Sequence, residues 1–155
     1  KKYIVACLGR LSPIKGVDDF IRAVSILSRK RSDVEAWIVG TEERRGQPYT
    51  QQLETLVKQL NLESIVKFQG LRRDIPDFLR QVDVLVMPSR VPESFGRVLV
   101  EAGAAGTAVV ATELGGAVEI IDRDQNGLLV PPLRLASLLL ADQGHDPRDV
   151  VPANL

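Results

Sequence analysis

A chain of 155 residues with 45% hydrophobic content is enough for one domain with a real core. Lysine plus arginine equals aspartate plus glutamate at 20 each, which excludes the strongly basic balance of a protein held on nucleic acid by phosphate contacts. The single cysteine, Cys7, sits in an apolar run and reads as an inert buried thiol rather than half of a disulfide or a nucleophile, which favours a cytoplasmic setting.

The chain opens on a predicted strand, Tyr3–Leu8, with almost no leader and no signal-peptide core, as expected of a piece of a longer protein. A glycine-flanked loop, Gly9 to Gly16, leads into a predicted helix over Val17–Lys30, with Phe20, Ile21, Val24 and Leu27 at helical spacing. There follow a strand over Val34–Val39, a polar loop through Arg44-Arg45-Gly46-Gln47-Pro48, and a helix over residues 50–60 carrying Leu53, Leu56 and Val57. Next come a strand over 65–69, a short helix over 75–81, the strand Val84–Met87, a helix over 95–105 and a strand over 108–111. A short helix and an Asn126-Gly127 turn precede a last strand, Leu128–Val130. The run Leu138-Leu139-Leu140-Ala141 is far below the roughly 20 residues a membrane span needs, so the chain reads as soluble. Strands this apolar are buried on both faces. Their alternation with helices predicts the α/β class, a Rossmann-like doubly wound parallel sheet. Residues 1–132 form that domain, and 133–155 an atypical C-terminal helix and tail of it.

In open parallel sheets ligands bind beyond the carboxyl ends of the strands, and the unusual residues fall there. Arg10 and Lys15 are the two cations of the first loop, flanked by Gly9 and Gly16, and make an anion clamp suited to a pyrophosphate. The loop lacks both GxGxxG and GxxxxGK[ST], which disfavours an ordinary dinucleotide fold or a Walker-type nucleotidase. Ser94 is an acceptable N-cap for the helix that follows, so the amides of Phe95, Gly96 and Arg97 would cradle a phosphate. Glu101, two turns in among apolar neighbours, needs solvent or hydroxyl donors, and ribose hydroxyls would serve. The plainer alternative keeps Arg10 and Lys15 as structural or solvated cations, Glu93 as a charge favoured near a helix N-terminus, and Glu101 as a surface glutamate. Asp122-Arg123-Asp124 reads as turn chemistry beside Asn126-Gly127 rather than a metal pair, and His145 has no companions for a metal site.

Glu93 and Glu101 form a glutamate, seven-residue, glutamate pattern. With Gly9-Arg10-Leu11, Lys15-Gly16, Ile38-Val39-Gly40, Phe68-Gln69-Gly70, Asp83-Val84, Pro88-Ser89, Ala111-Thr112, Gly115-Gly116, Glu119-Ile120 and Asn126-Gly127-Leu128-Leu129-Val130-Pro131-Pro132, it resembles the donor-binding C-terminal half of retaining GT-B glycosyltransferases of the group-1, family-4 type. The resemblance covers Tyr3 to Pro132. It implies that Arg10 and Lys15 hold the donor diphosphate, that Glu101 binds ribose hydroxyls, and that Glu93, Ser94, Phe95 and Gly96 lie against the donor sugar and phosphate. Gly9 would line the phosphate site, and the loops after Gly40 and Gly70 would flank the base. It further implies a nucleotide-diphosphate sugar as substrate, same-face attack, and no metal or other cofactor. An N-terminal acceptor-binding domain would be a further partner, leaving the isolated chain inactive. Peripheral membrane association of the whole protein and pairing of the bare half-domain stay open.

The chain departs from the family pattern after Gly40, where Thr41-Glu42-Glu43-Arg44-Arg45 replaces Gly-x-Gly-Pro. Base contacts there, with Glu42 the position singled out, are in question. Ala108 stands where proline is common, Gly103-Ala104-Ala105 replaces a frequent Ala-Met-Ala, and the tail after Pro132 lacks the family's acidic cap. Two other readings stand beside transfer: a non-catalytic nucleotide-binding module of the same fold, and a GT-B sugar-nucleotide epimerase.

Overall fold

The structure, a computed structural model, describes residues 1–122 and 125–131. In chain order the elements are β1 (Tyr3–Leu8), α1 (Val17–Lys30), β2 (Val34–Val39), α2 (Pro48–Gln59), β3 (Val66–Gly70), α3 (Ile75–Leu79), β4 (Val84–Met87), α4 (Arg97–Ala104), β5 (Ala108–Thr112), α5 (Ala117–Ile120) and β6 (Leu128–Val130). The readings of the tail from Pro132 onward, of His145, and of Arg123 and Asp124 lie outside the described residues.

All neighbouring strands pair parallel, in the order β3-β2-β1-β4-β5-β6. Successive residues of a strand point to opposite faces, so a sheet covered on both sides needs apolar residues at every position. Val5, Ile38, Val84 and Val86 pack with Phe20, Ile21 and Val24 of α1 and Leu53 and Val57 of α2 on one face. On the other, Ala6, Val39, Leu85, Met87 and Val109 pack with Phe78 and Leu79 of α3, Leu99 and Ala102 of α4, and Ala117 of α5. Every residue of β4 and β5 is buried. The register of β1 against β4 is pinned at its outer end by Asp83, whose Oδ2 accepts the Ile4 amide at 2.8 Å while its own amide donates to the Ile4 carbonyl at 2.9 Å.

Element ends differ from the sequence reading where backbone chemistry intervenes. Helix α2 begins at Pro48, two residues early, because proline's fixed φ and missing N–H suit the first helical position. Helix α3 stops at Leu79, two residues early, and its last carbonyls are taken by the turn amides of Arg80, Gln81 and Val82. Helix α4 begins at Arg97, two residues later than read, because Gly96 takes a left-handed conformation (φ 69°, ψ 43°) that the helix cannot include. Gly96, not Ser94, therefore occupies the N-cap position. Asp122 does sit in turn chemistry: its amide donates to Asn126 Oδ1 at 2.9 Å, and Asn126 Nδ2 donates to the Ile120 carbonyl.

The chain leaves β1 toward β2 on one side of the sheet and β4 toward β5 on the other. Their loops diverge at the carboxyl ends of these adjacent strands and leave a crevice there.

Candidate functional site

That crevice is a cleft of about 460 Å³, and its wall includes Gly9, Arg10, Lys15, Gly40, Glu93, Gly96 and Glu101. The structure thus brings together seven of the ten residues singled out from the sequence. Gly70, Ser94 and Phe95 do not line it. Gly70 stands one strand behind, its carbonyl accepting the Gly40 amide at 2.8 Å, and Phe95 is 64% exposed.

Three strand ends are joined at the cleft's back wall. The Gly9 amide donates to the Val39 carbonyl at 3.0 Å, and Gly40 packs so tightly on Gly9 that a Cβ would lie 1.8 Å from the Gly9 carbonyl oxygen. With φ at 134° as well, only glycine fits at position 40.

Lys15 ends a single 3-10 turn, Pro13–Lys15, and Gly16 follows with φ 68°. Its ammonium pairs with Glu93 Oε1, which also accepts a hydrogen bond from Ser89 Oγ at 2.8 Å. The Glu93 backbone is held independently, since its carbonyl accepts the Gly116 amide at 2.8 Å. Gly115 packs beneath, where a Cβ would lie 2.4 Å from the same oxygen. Partial burial pushes the Glu93 carboxyl upward, but the hydrogen bonds from Lys15 and Ser89 and the charges of Lys15 and Arg10 outweigh it and hold the group below its ordinary range.

Arg10 is half exposed, with its guanidinium 3.7 Å from the Glu43 carboxylate. A solvated pair at that distance contributes little, which leaves the Arg10 donors available. Glu101 stands 3.5 Å from Arg97 one turn earlier on α4, and its side chain is 40% exposed. The cost of a carboxylate on this helix is thereby met by a cation and by solvent. The floor is apolar and includes Cys7, whose thiol is pushed up to about 12 by burial, an effect the Lys15 charge only partly offsets. A neutral, inert thiol is the result.

Sequence reasoning missed two contributors. Arg72 lines the cleft, forked onto Asp74, with Nη1 donating to Gln69 Oε1 at 2.7 Å and the guanidinium 5.2 Å from the centre of the Phe78 ring. The Arg-x-Asp spacing was the available signal. The sequence places Ser89 in the loop after β4 that leads to the rim, and in the family pattern, but gives it no role; in the fold its hydroxyl reaches the Glu93 carboxylate.

Glu42 has a different task from the one its position invited. Its Oε2 accepts the Thr50 amide at 2.8 Å and the Thr50 hydroxyl at 3.0 Å, and its Oε1 accepts the Tyr49 amide at 3.3 Å, so both oxygens serve the first turn of α2. The cleft is lined by Thr41 and Glu43 instead. Among the described residues no three His, Cys, Asp or Glu side chains gather as a metal site, and no helix is long and apolar enough to cross a membrane.

The family model for glycosyl transferases group 1 matches residues 1–140. A D-inositol 3-phosphate glycosyltransferase of Corynebacterium kroppenstedtii is 34% identical over 150 residues, which cover 94% of this chain and 30% of that protein. A mannosylfructose-phosphate synthase of Agrobacterium fabrum is 37% identical over 134 residues, covering 83% of this chain and 29% of that protein. Among solved structures, Anabaena HepE in complex with UDP-glucose matches with a TM-score of 0.87 and 34% identity, over 97% of this chain and 41% of HepE. The C-terminal domain of LpcC, a glycosyl transferase group 1 family protein of Francisella tularensis, matches with a TM-score of 0.81 and 33% identity, over 95% of this chain and 78% of that domain. The chain spans about 30% of the length of the curated relatives it matches. The motif string, the sheet order and these matches agree, and the chain belongs to the glycosyl transferases group 1 family, as one Rossmann-like half of a GT-B fold.

Proposed function

We propose that this chain binds the nucleoside-diphosphate end of an activated sugar, and that the longer protein transfers the sugar with retention to an acceptor hydroxyl. The observation that carries the reading is that Arg10, Lys15 and the start of α4 at Gly96 and Arg97 line a single cleft together with Glu93 and Glu101, with Lys15 paired to Glu93. The cleft volume of about 460 Å³ falls within the roughly 300–1,000 Å³ of small-molecule sites. HepE is seen with UDP-glucose and with UDP.

In this reading Arg10 and Lys15 meet the charge that grows on the diphosphate as the bond from the sugar anomeric carbon to phosphate oxygen breaks. The partly positive N-terminus of α4 adds to that field. Glu101 accepts hydrogen bonds from the ribose hydroxyls. Glu93, held by Lys15 and Ser89, faces the sugar. The acceptor hydroxyl attacks from the side the diphosphate leaves, and its proton passes to a donor phosphate oxygen, so no protein base is drawn from this half. Arg10 and Lys15 supply the positive charge that this reading uses at the diphosphate, and no metal ion is assigned a role. The acceptor pocket belongs to an N-terminal domain.

Calorimetric titration of the chain with UDP, GDP and ADP, then their sugar conjugates, tests the reading. One nucleotide should bind, and Lys15→Ala should weaken it by about 1.5–3 kcal/mol with the fold intact. Binding indifferent to Lys15→Ala, or none by a folded chain, counts against it. Binding by a full-length protein that neither hydrolyses nor transfers would favour a non-catalytic module.

A further inference from the structure

The two cleft loops that meet at the Lys15–Glu93 pair are 78 residues apart, and the turn that carries Lys15 is weak by itself. It is one 3-10 turn, closed by the Lys15 amide to the Ser12 carbonyl at 3.0 Å and the Gly16 amide to the Pro13 carbonyl at 3.2 Å. So short a turn has poor hydrogen-bond geometry and no cooperative support. A lysine on it carries a long side chain whose freedom must be given up to hold one carboxylate.

Arg90, next to Ser89 and three residues before Glu93, supplies an external hold. Its Nη1 donates to the Pro13 carbonyl at 3.0 Å, its Nε to Asp19 Oδ2 at 2.9 Å, and its Nη2 to Asp18 Oδ2 at 2.7 Å. The same Nη2 lies 2.8 Å from Asp19 Oδ2. The Arg90 amide donates to the Ile14 carbonyl at 2.8 Å. Asp18 is fixed from its other side by the Tyr49 hydroxyl at 2.8 Å. Gly16 closes the contact, since a Cβ there would lie 2.1 Å from the Pro88 carbonyl oxygen. The guanidinium therefore spans the turn's first residue, the first turn of α1 and the loop bearing Ser89 and Glu93. None of the cleft-lining residues is Arg90, so it has no direct contact to offer a ligand there.

We propose that Arg90 is a positioning residue of the donor site: by gripping Pro13, Asp18 and Asp19 it keeps the Lys15 ammonium on Glu93 and at the diphosphate end of the cleft. This rests on the donor-site reading above. Arginine's planar fork is needed because three acceptors at different angles must be held at once, which a lysine ammonium on a flexible stem does not do.

The test compares the parent with Arg90→Gln, each alone and with Lys15→Ala, using UDP and uridine as probes. Arg90→Gln should weaken UDP binding about tenfold, the size of one loosened charge-assisted contact, and leave uridine, which has no phosphate, unchanged. In the Lys15→Ala background the substitution should cost nothing further. Parental UDP affinity, an equal loss for uridine, or a loss that persists without Lys15 overturns the proposal. A second readout needs no ligand. The Glu93 carboxyl, followed by 13C NMR, should titrate higher in Arg90→Gln than in the parent, and an unchanged titration overturns the proposal. If the parent binds no nucleotide, the donor reading fails while the Glu93 titration still decides the role of Arg90. If Arg90→Gln does not fold, Arg90→Lys, which keeps the charge and loses the fork, is measured in the same way with the same directions expected.

Discussion

Lys15 and Glu93, 78 residues apart in the chain, both line the cleft and form an ion pair there, and Ser89 donates to the same carboxylate oxygen. Neither group is fully buried, with side-chain exposures of 27% and 21%. The pair is accessible to a ligand and dry enough to matter.

Glu93 should give the chain part of its acid sensitivity. Its folded carboxyl titrates below the ordinary 4.5, because the Lys15 and Ser89 contacts outweigh partial burial. The stabilising charge is fully present above that value and is lost as pH falls through the lower folded-state pKa. Chemical unfolding from pH 7 down to 3 should show the stability gap between parent and Glu93→Gln narrowing below about pH 4.5. A gap constant with pH would mean that the carboxylate is not held in this way.

Gly40→Ala should be among the most damaging single methyl additions, costing roughly 3 kcal/mol or more, because the new Cβ meets the Gly9 carbonyl in a disfavoured backbone conformation. Gly46→Ala is the control. Its φ of 79° is also left-handed, but nothing lies within 4 Å, so only the backbone cost of about 1 kcal/mol applies. Urea unfolding of the two variants separates steric clash from strain.

Glu42→Ala should lower the thermal midpoint while leaving nucleotide affinity at the parent value, because both carboxylate oxygens serve the first turn of α2 and the residue stands outside the cleft. A loss of UDP affinity at constant stability would instead return Glu42 to the base site.

Glu101→Ala should weaken UDP about tenfold but leave 2′,3′-dideoxy-UDP unchanged, if the carboxylate serves the ribose hydroxyls. Equal losses for both would assign Glu101 to another part of the ligand or to Arg97 alone.

The sheet is legible in the sequence because its signal is local. A strand covered on both faces must be apolar throughout, and Tyr3–Leu8, Val34–Val39 and Val84–Met87 announce themselves with the observed boundaries. Helix ends were less legible. The left-handed Gly96 moved the start of α4 past Ser94, because glycine takes left- and right-handed conformations about equally readily and the residue type alone does not say which. Residue types also marked the cations and carboxylates of the cleft, since a charge between an apolar strand and a helix start is out of place unless it is used.

The one-dimensional pattern by itself determined the strands, the α/β layering and the rim on which a ligand site had to lie, because hydrophobic period and loop position are properties of neighbours in the chain. Only the tertiary structure decided which side chains meet: Ser89 with Glu93, Arg90 with Asp18 and Asp19, Glu42 with the start of α2 rather than the cleft. A charge reads the same in sequence whether it faces ligand, helix end or solvent. Its partner is set by the sheet order, which brings loops more than 70 residues apart within hydrogen-bond distance.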